Sequence, residues 1–176
     1  MEPEEKIQDF EKESILKKTF IGFISFFLLF LLLSYFLVSP SIFPILESLF
    51  ESNTVEGDTI ILDDYTIIFS NNTYKDLQKN YYKNQSVEFV VCLEGKKEAK
   101  EYTIKRIYLP EISDQSFNHV SFKPCSESTI ALLHSHPYRR CIASQQDLIT
   151  LNNLKEINSE RLMIIMCEPN RFSVYN

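Results

Sequence analysis

An uncharged stretch, Thr19 to Val38, restricts the fold of this chain more than any other feature. It runs for twenty residues, and a helix of that length, at about 1.5 Å per residue, spans roughly the 30 Å of a bilayer's hydrocarbon core. A buried core helix is the alternative, but one so long and apolar on every side does not fit a small domain. The stretch is also longer than the apolar part of a cleaved signal peptide, and Leu37 to Pro40 is a poor cleavage site. We therefore expect an uncleaved transmembrane anchor at residues 19–38.

The placement of lysines predicts how this anchor is oriented. Residues 1–18, a polar tail, contain four lysines, and no Lys or Arg follows the anchor until Lys75. Because positive residues stay on the cytoplasmic side, we expect a cytoplasmic N-terminus and an extracytoplasmic C-terminal domain. Residues 39–57 would then form a juxtamembrane segment and linker. Their apolar part, 42–50, either lies along the membrane surface or extends the anchor as a short helix.

Residues 58–176 carry the patterns of an α/β (α+β) domain with a mixed β-sheet flanked by helices. Apolar, β-branched and aromatic runs predict strands near residues 59–62, 65–69, 87–95, 102–109, 119–122, 129–133, 161–167 and 171–175. A polar helix is expected at 72–83, and an amphipathic helix begins at Ser144. Gly95 is interpreted as a turn that ends its strand. The segment is long enough for one hydrophobic core.

The charge balance argues against nucleic acid as a partner. The chain has a formal net charge of −6 and no run rich in Lys or Arg, whereas nucleic-acid binding requires a basic surface. It also has only three glycines, and no glycine-rich loop of the kind that holds phosphates is present.

Two histidines and an aspartate form the pattern with the clearest chemistry. His134 and His136 lie two residues apart, so on a strand both imidazoles point to the same face. Pro137 ends that strand, and Asp147 falls in the first turn of the helix that begins at Ser144. Two imidazoles and one carboxylate are a usual ligand set for catalytic zinc, with water in the fourth position. The alternatives are a solvated strand end and a Ser-x-x-Asp capping box with Ser144 as its N-cap.

The order of these residues, His-x-His-Pro-x6-Ser-x-x-Asp, resembles the zinc site of the JAMM metallopeptidases, also called the MPN+ or JAB family. A second element, Glu88 to Gly95, resembles the acidic residue that this family carries on an early strand. The resemblance covers the chain from about Glu88 to its C-terminus, and residues 72–87 fit the helix before that strand. It is strongest to the compact archaeal and bacterial members, here with an added N-terminal transmembrane anchor.

The resemblance implies a role for each site residue. His134, His136 and Asp147 would hold one Zn²⁺ per chain. Glu88 would be the general base that takes a proton from zinc-bound water and later gives it to the leaving amine. Ser144 would donate a hydrogen bond to the developing oxyanion.

Several other polar residues are weaker candidates. Glu94 is a rival for the general base, but it lies nearer the expected glycine turn. His119 has no partner motif and is interpreted as structural. Arg139 and Arg140 flank the loop between the ligands. They either attract an acidic or C-terminal carboxylate of a substrate or are ordinary exposed loop residues.

The four cysteines show no Cys-x-x-Cys spacing, which argues against a structural zinc knuckle. Some archaeal members of the resembled family have cysteines at the places of Cys141 and Cys167. This implies a Cys141–Cys167 disulfide that closes the active-site loop, and an extracytoplasmic location would permit it. For Cys92 a disulfide and a buried free thiol both stay open, and for Cys125 a free thiol is expected.

Together with the anchor, the resemblance implies a membrane-anchored, zinc-dependent metallopeptidase that hydrolyses an amide or isopeptide bond. The partner would be a protein or peptide substrate. In archaeal members the substrate class is a small ubiquitin-like modifier joined to a lysine, whereas an outward-facing domain would meet an extracytoplasmic peptide. The alternatives are a non-catalytic, membrane-tethered binding module of MPN type and a hydrolase of another small amide. The sequence gives no indication of the oligomeric state.

Overall fold

The computed structural model describes residues 3–38, 42–116 and 119–176. The described chain falls into two compact units that divide between Phe43 and Pro44. Parts of the expected polar tail, residues 1 and 2, and of the expected linker, residues 39–41, lie outside the described residues. Each unit is described separately below.

The first unit consists of one long helix, α1 (Pro3–Val38). Its segment Leu16–Leu37, 22 residues long, has the length and apolar composition needed to cross a membrane. Nearly all side chains of this segment are exposed in the structure. This segment coincides with the anchor expected at residues 19–38.

The rest of the described chain is a mixed α+β structure. Its helices are α2 (Ile42–Glu51), α3 (Thr73–Lys83) and α4 (Gln145–Ile157), with a 3₁₀ turn at Pro137–Arg139. Its strands are β1 (Asn53–Thr54), β2 (Thr59–Ile61), β3 (Thr66–Phe69), β4 (Val90–Glu98), β5 (Glu101–Tyr108), β6 (Ile112–Gln115), β7 (Val120–Phe122), β8 (Thr129–Ser135), β9 (Leu162–Glu168) and β10 (Arg171–Tyr175).

Eight of these strands form one sheet in the order β1-β10-β9-β8-β4-β5-β3-β2. The sheet is mixed, because β8 pairs with β9 and β3 pairs with β5 in parallel while the other neighbours are antiparallel. The strands β6 and β7 form a separate antiparallel pair. The predicted mixed sheet flanked by helices is therefore confirmed.

The two faces of the sheet bury different apolar clusters, because successive strand residues point to opposite sides. On one face, Leu133 of β8 belongs to the large core that also contains Leu77 of α3. On the other face, Leu132 of β8 packs in a smaller cluster beside Phe122 of β7 and Leu154 of α4. The second face, covered by α4 and the β6–β7 hairpin, is the one that carries the candidate site.

Gly95 does not end its strand, and the expectation of a turn there is wrong. It continues β4, which runs to Glu98, and the register against β5 shifts between Glu94 and Gly95. A Cβ at Gly95 would clash with the backbone carbonyl of Thr103, so glycine is needed for the close approach of β5. The turn follows at Ala99, whose φ of 51° lies in the left-handed region.

Two elements lie where a linker was expected. The strand β1 pairs with β10 through Asn53 and Phe172. In α2, Ser48 is only 1% exposed, and its hydroxyl oxygen accepts a hydrogen bond from the backbone N–H of Cys141 at 2.8 Å. The compact unit consequently begins at Pro44, before the boundary expected at residue 58.

All four cysteines are paired. Cys141 and Cys167 form the implied disulfide, with their Cα atoms 5.1 Å apart. Cys92 and Cys125 form a second one with a Cα separation of 5.8 Å, so the free thiol expected for Cys125 is wrong. Cys92 belongs to the smaller apolar cluster on the site-bearing face, and Cys125 packs against that cluster from the loop before β8. Sequence spacing could not show this contact.

Candidate metal centre

The end of β8 brings the two histidines to the same face of the sheet. The strand ends at Ser135, but His136 stays extended, with φ −107° and ψ 127°. Its backbone N–H donates to the carbonyl of Met166 in β9 at 3.1 Å, which prolongs the ladder by one residue. Both imidazoles are therefore held side by side, and His134 and His136 are only 5% and 6% exposed.

Asp147 reaches the histidines from the first turn of α4. Its carboxylate Oδ2 accepts a hydrogen bond from the backbone N–H of Ser144 at 2.6 Å. Ser144 Oγ in turn accepts from the backbone N–H of Asp147 at 3.2 Å. The capping box considered from sequence is thus present, and it orients the carboxylate towards the imidazoles, so the structural and the ligand interpretations apply together.

The three side chains converge, and Asp147 faces the histidines with both of its carboxylate oxygens. The Nε2 atoms of His134 and His136 are 3.1 Å apart, and they lie 3.1 Å and 3.3 Å from Oδ1 and Oδ2 of Asp147. Ligands about 2.0–2.1 Å from a tetrahedral zinc ion are about 3.3 Å apart, so these spacings suit such an ion. The cluster could hold a metal ion.

The hydrogen bonding and burial of the imidazoles also fit metal binding. His136 Nδ1 lies 3.0 Å from the carbonyl oxygen of Arg140. Since a carbonyl only accepts, Nδ1 carries the hydrogen and the lone pair is on Nε2, the usual arrangement of a metal-binding histidine. Burial lowers the pKa of His134, which favours the neutral imidazole that binds metals.

The carboxylate of Asp147 is held in its charged form. Burial opposes ionisation, but the polar contacts with His134, His136 and Ser144 outweigh it, and the pKa of Asp147 lies well below its usual range. A charged carboxylate beside two imidazoles is a typical donor set for a divalent transition metal.

Glu88 lies beside this cluster, in the segment just before β4 rather than within the expected strand. Its Oε1 is 3.9 Å from His136 Nε2, and its side chain is 13% exposed. The backbone of Glu88 is fixed on both sides: its N–H donates to the Ser116 carbonyl at 3.0 Å, and its carbonyl accepts from Gln115 Nε2 at 2.6 Å. Burial raises the pKa of Glu88. A carboxyl group with a raised pKa accepts a proton more readily than an ordinary carboxylate does.

The rival base, Glu94, lies away from the cluster. Its carboxylate accepts hydrogen bonds from Ser126 Oγ at 2.6 Å and Ser128 Oγ at 2.9 Å. Arg106 Nε donates to it at 2.6 Å. Glu94 does not line the cleft over the cluster. Its partners make it a structural residue, which leaves Glu88 as the candidate base.

A cleft of about 550 Å³ opens over the cluster. It is lined by Glu88, Val90, His119, Val120, Ser121, Phe122, Leu132, His134, His136, Pro137, Arg140, Ser144, Gln146, Asp147 and Thr150. One wall is the β7 strand of the hairpin and the other is the first part of α4. His119, interpreted from sequence as structural, lies in this wall with its Nε2 3.0 Å from Ser121 Oγ.

Sequence reasoning missed the residues that support the site from behind. The strand β6, which carries Gln115, was not expected. Ser135 was passed over, although its place between the two histidines was a usable signal: on a strand it must point away from them, towards the large core. Ser135 accepts a hydrogen bond from the backbone N–H of Phe89, the residue after Glu88. Gln115 donates a hydrogen bond to the backbone carbonyl of Glu88 itself.

No protein-family model matches this chain, and no curated protein matches it. Among solved structures, it is similar to the crystal structure of a JAB1/MPN domain protein from Archaeoglobus fulgidus, with 20% identity and a TM-score of 0.39. That match covers 61% of this chain and 87% of the other.

Proposed function

We propose that this chain is a membrane-anchored, zinc-dependent metallopeptidase of JAMM type that hydrolyses an amide or isopeptide bond. One observation carries the proposal: His134, His136 and Asp147 bring one ligand atom each to within 4.8 Å of one another, at the base of an open cleft that Glu88 also lines. A purely structural cluster would have no need of an open cleft or of an adjacent half-buried carboxyl group.

The residues of the chain divide the chemistry among them. Zinc held by such a ligand set acts as a Lewis acid and lowers the pKa of a coordinated water. Glu88 takes a proton from the attacking water and returns it to the leaving amine, a task suited to a carboxyl group whose pKa is raised by burial. Ser144 Oγ accepts from Asp147, so its hydroxyl hydrogen is available to the substrate carbonyl oxygen as negative charge develops.

The cleft is suited to a segment of peptide. Its volume of about 550 Å³ is in the range of ordinary ligand pockets and accommodates a few residues. Apolar side chains of the hairpin, Val120 and Phe122, face polar ones on α4, Gln146 and Thr150. A peptide or isopeptide bond laid between these walls would pass over the metal centre.

The anchor and the disulfides support an extracytoplasmic second unit. The lysine bias around residues 19–38 favours a cytoplasmic N-terminus. Two disulfides, Cys92–Cys125 and Cys141–Cys167, support an oxidising environment for the second unit. We therefore favour an extracytoplasmic protein or peptide as the substrate over a cytoplasmic ubiquitin-like conjugate.

Metal analysis and one conservative variant test the proposal. The full chain in detergent should contain about one zinc per chain, and His134→Ala should lose it. Glu88→Gln should keep the zinc but lose hydrolysis of a mixed peptide library, while the exposed Glu127→Gln should behave like the wild type. Wild type without zinc, or a fully active Glu88→Gln, would contradict the proposal. Zinc binding without any amide hydrolysis would favour the non-catalytic binding module instead.

Protease added to intact cells tests the orientation. We expect it to digest the second unit and to leave the N-terminal tail protected. Protection of the second unit until the cells are lysed would place it in the cytoplasm and restore ubiquitin-like conjugates as substrates.

A further inference from the structure

Two adjacent arginines follow the histidine pair, and the structure gives them different surroundings. Arg139 has a left-handed backbone, with φ 58°, and its Nε lies 3.0 Å from Oε1 of Glu168. It does not line the cleft. Arg140 is exposed and lines the cleft together with the metal-site residues. Because of the left-handed backbone at Arg139, the guanidinium group of Arg139 lies against Glu168 and that of Arg140 lies at the cleft.

Arg140 is the only residue with a permanent positive charge among the described residues that line the cleft. No hydrogen bond or ion pair within the described chain engages its guanidinium group; of Arg140, only the backbone carbonyl is bonded. The neighbouring arginine, by contrast, already has a carboxylate partner in Glu168. An arginine facing a substrate cleft without an internal carboxylate is available to a carboxylate of the substrate.

The backbone of Arg140 is fixed close to the metal centre. Its carbonyl accepts the hydrogen bond from Nδ1 of His136 at 3.0 Å. The next residue, Cys141, is bound by its disulfide to Cys167 and by its N–H to Ser48 Oγ at 2.8 Å. The backbone of Arg140 is therefore held in place by its own bond to His136 and by the two bonds of the next residue, Cys141. From this position its side chain can contact groups of the substrate on either side of the scissile bond.

We infer that Arg140 is a specificity-determining residue that binds a carboxylate of the substrate close to the scissile bond; this inference rests on the proposed function. The substrate class is then a peptide that carries either an Asp or Glu side chain or a free C-terminal carboxylate beside the bond that is cut. Both sources offer the same planar group, to which a guanidinium donates two parallel hydrogen bonds. The binding is non-covalent and leaves the hydrolytic step unchanged.

Peptide binding to the full chain in detergent tests this inference without relying on catalysis. The Glu88→Gln chain, proposed to be inactive, is titrated with three series of labelled alanine-rich octapeptides, and fluorescence anisotropy gives each Kd. In the first series a Glu is moved along an amidated peptide. In the second series a Gln replaces the Glu. In the third series the peptide has no charged side chain, but its C-terminus is a free carboxylate. The first and third series distinguish the side-chain carboxylate from the terminal one.

We expect the best carboxylate peptide to bind about two to five times more tightly than its neutral counterpart, the range of a partly exposed ion pair. Arg140→Gln should abolish this difference, and Arg140→Glu should reverse it, so that the Gln peptides bind more tightly than the carboxylate peptides. The matched variant Arg139→Gln should keep the preference of the wild type. The preference should also shrink when the salt concentration rises from about 20 to about 300 mM.

The inference is overturned if carboxylate and neutral peptides bind equally, or if the preference survives Arg140→Gln. Cleavage of the same peptides by the chain with Glu88 intact separates this failure from that of the proposed function. Peptides that are cleaved without any carboxylate preference would overturn the role of Arg140 alone. Peptides that bind with the preference but are never cleaved would contradict the peptidase and support the carboxylate site.

Discussion

Ser135 and Phe89 exchange two hydrogen bonds: the N–H of Phe89 donates to Ser135 Oγ at 3.0 Å, and the N–H of Ser135 donates to the Phe89 carbonyl at 2.9 Å. The pair joins the residue between the two histidines to the residue after Glu88. It thereby fixes the candidate base relative to the candidate metal ligands, although Ser135 itself points away from the cleft.

Replacing Ser135 by Ala should weaken both stability and catalysis. The Phe89 N–H would lose its acceptor in a buried place, at a cost of about 1–3 kcal/mol. A small displacement of Glu88 should lower kcat by roughly 10- to 100-fold, with zinc content and KM changed little. Ser135→Thr, which keeps the hydroxyl, should recover most of the kcat. The exposed Ser159→Ala serves as the control, and an unchanged kcat in Ser135→Ala would show that the hydrogen-bond pair does not position the base.

Variants of Ser144 should separate its role as N-cap from its role as oxyanion donor. Ser144→Ala removes the cap and should cost about 0.5–2 kcal/mol, whereas Ser144→Gly should cost only a few tenths because glycine is a good N-cap. Both remove the hydroxyl and should lower kcat by about 10²–10³-fold. Thermal unfolding and single-turnover rates measure the two effects. A stable and fully active Ser144→Gly chain would mean that the hydroxyl serves only the helix.

The two disulfides close chain segments of similar length, with sequence separations of 26 and 33 residues. Removing either pair by Cys→Ser substitution should therefore cost a similar amount, about 3–4 kcal/mol. Only loss of Cys141–Cys167 should also weaken zinc binding, because it loosens the loop whose Arg140 carbonyl orients His136. Chelator competition measures zinc affinity, with the Cys92→Ser/Cys125→Ser chain as the matched control. Equal zinc affinity in the two double variants would contradict this role of the loop.

Glu94 should make the fold sensitive to acid. The hydrogen bond from Ser126, with those from Arg106 and Ser128, holds the pKa of Glu94 below its usual range despite the opposing effect of desolvation. A lowered folded-state pKa stabilises the fold above the usual pKa of about 4.3, and this contribution is lost as the pH falls through the folded-state value.

Glu94→Gln should accordingly unfold more easily at pH 7, by about 1–3 kcal/mol, and should lose less of its remaining stability on acidification. Thermal unfolding between pH 7 and about pH 3 measures both effects, with the exposed Glu127→Gln as the control. Identical acid sensitivity in wild type and Glu94→Gln would show that other carboxylates dominate.

Local patterns predicted much of the sheet. Strands such as β9 and β10 and the helices α3 and α4 lie close to their expected positions, because alternation and helical spacing report which face of an element is buried. The same reasoning failed at Gly95. The close approach of Thr103 from β5 is what requires glycine there, and nothing near Gly95 in the sequence reports that neighbour.

The sequence by itself determined the apolar helix at residues 19–38 and the spacing that puts His134 and His136 on one face, since both follow from the periodicity of a single element. Only the tertiary structure decided that Glu88 lies 3.9 Å from His136, that Cys125 meets Cys92, and that Arg140 rather than Arg139 lines the cleft. Each of these depends on the packing of segments far apart in the chain or on one left-handed backbone turn. Such contacts are set by the shape of the whole core, which no local pattern records.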